Sequence, residues 1–149
     1  VLTIHAADEV RRTWDDPEPI KDGAVVVDGA VVRAVGAADA VRQRFPDARV
    51  RRWPGVLGPG RVHEGPLPQA PSPRERVHEV LKSGATAVLD QHAGTPELRA
   101  AVERNHLAVL PRPHAPAIVE LGRADLVAFD DSGACVATVC AGRLVHRRR

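Results

Sequence analysis

The sequence predicts an α+β fold: strands from both chain ends build one β-rich body, and a short α/β segment is inserted between them. Three observations predict it. Valine-rich runs flank Asp28-Gly29, and Asp-Gly between apolar runs is a strong hairpin signal. Residues 73–110 alternate helix-like and strand-like patterns at the spacing of a βαβ unit with parallel strands. From Asp125 onward the pattern is strand and turn again.

Taken in order, Val1 to His5 predict a first strand. Residues 6–22 are polar and carry Asp15-Asp16-Pro17-Glu18-Pro19, which predicts a loop. Ala24 to Gly36 give two strands around Asp28-Gly29. Residues 38–45 predict a short helix with Val41 and Phe45 on one face and Pro46 after it. Residues 48–53 predict a further strand. Pro54, Pro59, Pro66, Pro68, Pro71 and Pro73 then predict an extended, irregular linker over residues 54–73.

Pro73 to Ser83 predict a helix with Val77, Val80 and Leu81 on one side and Gly84 as its stop. Ala85 to Leu89 read as a buried strand. Thr95 as N-cap and Pro96 at the first helical position open a helix that runs to about Asn105. Leu107 to Leu110 predict a strand, and Pro111, Pro113 and Pro116 break the pattern. Asp125 to Phe129, a turn at Asp130 to Gly133, and strands around 134–140 and 143–147 complete the chain.

At 149 residues the chain has room for one domain or two small ones, and 44% hydrophobic residues predict a globular fold. Aromatics are 3% with no Tyr, so the core must come from Val, Ala and Leu. A net charge of +2 gives no argument for nucleic acid. Arg49, Arg51 and Arg52 form one basic cluster and Arg147 to Arg149 another; both read as solvated surface. Cys135 and Cys140 fall in one strand, where five residues span roughly 16 Å, beyond disulfide reach, so free thiols are expected. No apolar run approaches the ~18–20 residues of a membrane span, and a cytoplasmic location is the expectation.

The two ends also carry family motifs. The opening hairpin, the short helix and Gly55-Val56-Leu57-Gly58-Pro59-Gly60-Arg61-Val62 resemble the N-terminal part of the amidohydrolase superfamily, with the imidazolonepropionase and aminodeoxyfutalosine deaminase branches nearest. Gly122-Arg123-Ala124-Asp125-Leu126-Val127 resembles the family's Gly-x-x-Ala-Asp-Leu-Val segment, and Val139, Gly142, Arg143 and Val145 match its closing strands. The resemblance implies that residues 1–65 and 118–149 form a small β-sandwich, the composite domain of metallo-dependent hydrolases. It implies that residues 66–117 are a βαβ-like remnant of the family's (β/α)8 barrel, whose strands extend or cap another sheet.

Two departures bear on function. The family's metal-binding His-x-His would fall at positions 65 and 67, which hold Gly65 and Leu67, residues without a donor for a divalent cation. A (β/α)8 barrel takes ~250 residues, far more than residues 66–117 supply. The polar residues left nearby are His63 and Glu64, and Asp90 and His92 beside a strand end of the kind where α/β folds place ligands. Neighbouring strand residues point apart, so His63 and Glu64 do not chelate together. The expectation is a non-catalytic amidohydrolase-like binding or assembly module without a cofactor, forming a homo-oligomer or pairing with a full-length relative. The alternative is a small metal-dependent hydrolase or deaminase acting on C–N bonds, with a zinc-type site rebuilt from His63, Asp90 and His92.

Overall fold

A computed structural model describes residues 1–148 and contains two sheets. The larger has seven strands in the order β10-β9-β8-β4-β1-β2-β3. Its strands are β1 (Leu2–Val10), β2 (Ile20–Asp28), β3 (Val31–Ala37), β4 (Arg49–Pro59), β8 (Leu126–Phe129), β9 (Cys135–Cys140) and β10 (Arg143–Arg147). The smaller is a parallel sheet of β5 (Arg61–His63), β6 (Ala85–Leu89) and β7 (Ala108–Leu110), joined by helices α2 (Pro73–Lys82) and α3 (Pro96–Arg104). Helix α1 (Ala38–Arg44) follows β3.

The two chain ends meet at one pairing. β4 runs parallel to β1 through Arg49 to Leu57 and antiparallel to β8 through Val56 to Pro59. The sheet then turns back on itself. Val31 bridges Arg123, Val32 N–H donates to Gly122 O at 2.9 Å, and Leu121 N–H donates to Val32 O at 2.8 Å. The enclosed side holds Ala7, Val25, Val27, Trp53, Leu57, Leu126, Ala128 and Val139. On the outer side, Ile4, Ala6, Ala24, Val26 and Ala34 pack beneath Ala38 and Val41 of α1. The alternation of Val25 and Val27 against Ala24 and Val26 is the period-two pattern of a sheet covered on both faces. The mixed α/β architecture, with its large mixed sheet and three helices, is compatible with the expected small β-sandwich.

Three boundaries differ from the sequence expectation, each for a local reason. β1 continues to Val10 rather than ending at His5, and the loop shortens to residues 11–19. Ala6, Ala7 and Val10 are buried there, while Asp8 and Glu9 fall at a register shift between Ala7 and Glu9. The expected linker over 54–73 is strand as far as Pro59, and Arg61–His63 forms β5. Pro54 lies opposite that same register shift, where a missing ladder N–H is tolerated. Third, β5 pairs with β6 in the smaller sheet instead of joining the composite sheet, so there are two strand–helix–strand units in succession.

The predicted helices and the predicted Thr95 cap agree closely with the structure, and Ser72 adds a cap that the sequence reading did not name. Ser72 Oγ accepts from Glu75 N–H at 3.2 Å at the start of α2, and Thr95 Oγ1 accepts from Leu98 N–H at 3.2 Å at the start of α3. Between the sheets, Val77, Val80, Leu81, Val88, Leu98, Ala101 and Val102 form a core that also takes in Cys140 of β9. Thr138 Oγ1 of β9 donates to Leu81 O at 2.7 Å. The smaller sheet therefore caps the larger one through α2; it does not extend it. No helix among the described residues is long and apolar enough to cross a membrane.

Candidate functional site

The expected site residues gather along one edge, the C-terminal ends of the parallel strands. His63 ends β5 and stands in register with Val88 of β6. Asp90 and His92 lie in the 3-10 turn, Asp90–His92, that follows β6. Their side chains do not converge. His63 Nε2 is 2.9 Å from Pro66 O, which fixes the imidazole against its own loop. Glu64 is exposed. Asp90 forms an ion pair with Arg99 of α3, and His92 Nε2 is 3.3 Å from the Gln91 side-chain amide. Among the described residues, no group of three or more His, Cys, Asp or Glu is placed to hold a metal ion. A zinc of the hydrolytic type needs about three protein ligands and an open position. The side chains on this edge do not fit it.

Gly65 and Leu67, where the resembled family has histidines, have separate fates. The chain leaves the sheet after His63, because Pro66 and Pro68 cannot continue a paired strand. Gly65 faces open space, and a β-carbon added there would meet nothing within 4 Å. Leu67 is 2% exposed and belongs to the core around α2 and α3. Arg76 of α2 holds this segment in place, donating from Nη2 to Leu67 O at 2.9 Å and from Nε to Pro68 O at 3.0 Å. The residue at position 67 is thus a core anchor.

A feature that the sequence expectation missed is a cavity of about 170 Å³ between the parallel sheet and the segment that crosses back to β8. Val62, Ala87 and Leu110 line it from the strands, with Thr86, His114 and Asp125 as polar lining. It is smaller than the ~300–1,000 Å³ of ordinary ligand pockets. Asp125 is committed to the fold: Oδ1 accepts from Ala141 N–H at 2.9 Å and from Arg123 Nε at 2.9 Å. Burial raises its carboxyl above the usual range, opposed by the Ala141 N–H and the Arg123 charge. The Asp of the Ala-Asp-Leu-Val segment thereby fixes the β9–β10 turn, where Ala141 has φ of +50°.

The thiols are equally inert. Cys135 and Cys140 are both free. Burial, with the nearby Asp125 charge adding to it, pushes Cys140 up to about 11, so it is a protonated core residue at neutral pH. The arginine clusters, by contrast, are brought together by non-local pairing: Arg147 Cζ of β10 lies 5.5 Å from the ring centre of Trp53 in β4. Nothing local in either run signals that encounter.

Comparison with known proteins agrees with this architecture. Residues 23–48, which span most of β2, then β3, α1 and the connection to β4, match the family model of the bacterial imidazolonepropionase-like composite domain. No curated protein matches the chain. Among solved structures, it is similar to a zinc-bound adenosine deaminase from Xanthomonas campestris, with TM-score 0.58, 18% identity, and coverage of 77% of this chain and 36% of that one. It is similar to the aminofutalosine deaminase of Helicobacter pylori, with TM-score 0.56 and 16% identity over 73% of this chain and 32% of that one. The ochratoxinase of A. niger gives TM-score 0.53 and 19% identity over 78% of this chain and 30% of that one. The chain spans about a third of the length of these enzymes. At these identities the likeness concerns the fold, and the family-model match over residues 23–48 agrees with it for β2, β3 and α1.

Proposed function

We propose that this chain is a non-catalytic, amidohydrolase-like binding or assembly module. The observation that carries the reading is Leu67. Where the resembled family has a metal-binding histidine, this chain has a side chain packed into the core between α2 and α3. The neighbouring donors His63, Asp90 and His92 are each turned to another partner. The smaller sheet has the order β5-β6-β7, so β5 and β7 each present one unpaired edge among the described residues. Open edges favour assembly, with a second copy or a full-length relative as the partner.

The test is metal analysis of the purified protein, with hydrolase and deaminase assays on cyclic amides and aminopurines and a native-mass measurement. The expected result is metal well below one per chain, no turnover above the buffer rate, and an oligomer. Stoichiometric zinc or iron with turnover would overturn the proposal in favour of a C–N hydrolase. That outcome would require Asp90 to leave Arg99, and His63→Ala with His92→Ala would then abolish metal binding.

A further inference from the structure

The cavity of about 170 Å³ has a neighbour. A second cavity, of about 230 Å³, is lined by Trp14, Arg61, Val62, Glu64, His114 and Pro116. Val62, His114 and Pro116 line both, so the two adjoin. Together they reach the size of an ordinary ligand pocket, ~300–1,000 Å³. Their characters differ. Val62, Ala87, Ala108 and Leu110, from the three parallel strands, give the first an apolar wall. The charged residues in its lining, Arg123 and Asp125, are paired with each other at 2.9 Å, so neither charge is free.

The second cavity carries one charge of each sign. Arg61 and Glu64 both line it, and both are exposed. Neither forms an ion pair among the described residues, with the other or with any third group. Arg61 is nevertheless held in place. Its Cζ lies 4.9 Å from the ring centre of Trp14 and 4.6 Å from that of Phe129. The two rings meet edge to face at 5.5 Å, and Trp14 Nε1 donates to Pro59 O at 2.9 Å. Stacking engages the face of a guanidinium and leaves the N–H groups at its edge for a carboxylate. A cation and a carboxylate in one lining, not paired with each other, complement a ligand that carries both charges.

We propose that the adjoining cavities bind one α-amino acid with an apolar side chain. Arg61 takes its carboxylate, Glu64 its ammonium, and the chamber walled by Val62, Ala87, Ala108 and Leu110 its side chain. A simple organic acid would set its carboxylate beside that of Glu64, and a simple amine would set its ammonium beside Arg61, so the zwitterion is the better match. The apolar chamber is small, at about 170 Å³, which favours a branched aliphatic side chain over an indole. The proposal goes beyond the non-catalytic reading without resting on it. His63, Leu67, Asp90 and His92 line neither cavity, and binding is measured without turnover or metal.

The test is calorimetric titration of the whole protein at low ionic strength with leucine, glycine, tryptophan, isocaproate and leucinamide. Expected is saturable binding of one leucine per chain with Kd of about 1 mM or tighter. Glycine leaves the apolar chamber empty and should bind roughly tenfold more weakly or worse. Tryptophan should also bind more weakly than leucine. Isocaproate lacks the ammonium and leucinamide the carboxylate, and each should lose roughly tenfold or more. Arg61→Gln and Glu64→Gln should each cost leucine as much, while Glu64→Gln should not weaken isocaproate. Glu64 is exposed, so its variant remains informative if Arg61→Gln does not fold. No saturable binding of leucine would overturn the proposal. So would glycine, tryptophan or either singly charged analogue binding as tightly as leucine, or full leucine binding by Glu64→Gln.

Discussion

Trp53 Nε1 donates a 3.1 Å hydrogen bond to His5 Nδ1 inside the larger sheet, and the two rings lie nearly parallel with an interplanar angle of 11°. His5 is 2% exposed. The bond requires Nδ1 to be unprotonated, so His5 is held neutral. Burial, followed by the charge of Arg51, lowers its pKa from 6.5 to about 4. A histidine with a depressed folded value takes up its proton more readily in the unfolded chain. Its contribution to stability is therefore complete above about pH 6.5 and is lost as pH falls toward about 4. The loss should approach about 3 kcal/mol, measured as the urea midpoint against pH. His5→Gln keeps an acceptor for the indole N–H and cannot titrate, so it should flatten this part of the profile. An unchanged slope in that variant would assign the acid sensitivity elsewhere.

Gly55 and Gly65 stand in the same motif-bearing stretch and should respond oppositely to alanine. Gly55 has φ of +78°, and an added β-carbon would sit 2.1 Å from Phe129 O, in the pairing that joins the two chain ends. Its N–H donates to Asp8 Oδ2 at 3.0 Å. Gly55→Ala should cost about 3 kcal/mol or more, or prevent folding. Gly65 has free space around it, and Gly65→Ala should change the urea midpoint by no more than about 0.5 kcal/mol in stability. Adding Leu67→His to rebuild His-x-His should cost about 2–5 kcal/mol and recruit no zinc, because the new imidazole would enter the apolar core.

Much of this is legible in the sequence where the determinants are local. The Asp28-Gly29 hairpin, the Thr95 cap and the apolar face of Val77, Val80 and Leu81 each act within a few residues, and each stands where the pattern predicts it. Pro54 misleads because its tolerance depends on a register shift in β1, some 45 residues earlier in the chain. His63, Asp90 and His92 do lie near strand ends as expected, but ring and carboxylate directions come from Pro66, Gln91 and Arg99 and leave no periodic trace. The contact of Arg147 with the Trp53 ring depends on where β10 lies relative to β4, which no window of sequence contains.

Asp125 should prove a structural residue whose charge is dispensable. Its Oδ1 accepts from Ala141 N–H and Arg123 Nε, and an asparagine oxygen could take both bonds. Burial raises the carboxyl above its usual range, so ionisation opposes folding as pH rises past the unfolded value. Asp125→Asn should therefore match or exceed the native stability at neutral pH. Asp125→Ala should lose about 1–3 kcal/mol, because the Ala141 N–H is left without its partner. If the two variants were equally destabilised, the charge itself would be the required feature.

Thr138 links the two sheets, and its removal should loosen one against the other. Its hydroxyl, on a residue with no exposed surface, donates to Leu81 O at 2.7 Å across the α2–β9 contact. Leu81 O also accepts from Gly84 N–H at 3.1 Å, so losing the hydroxyl does not orphan the carbonyl. Thr138→Val preserves shape and should cost only about 1 kcal/mol of global stability. The more telling measurement is amide exchange. Val77, Val80 and Leu81 pack both on β6 and toward Cys140, so weakening the α2–β9 contact should raise exchange in α2 and β6 more than in β1 and β2. Equal changes in both sheets would mean that the molecule opens as one cooperative unit.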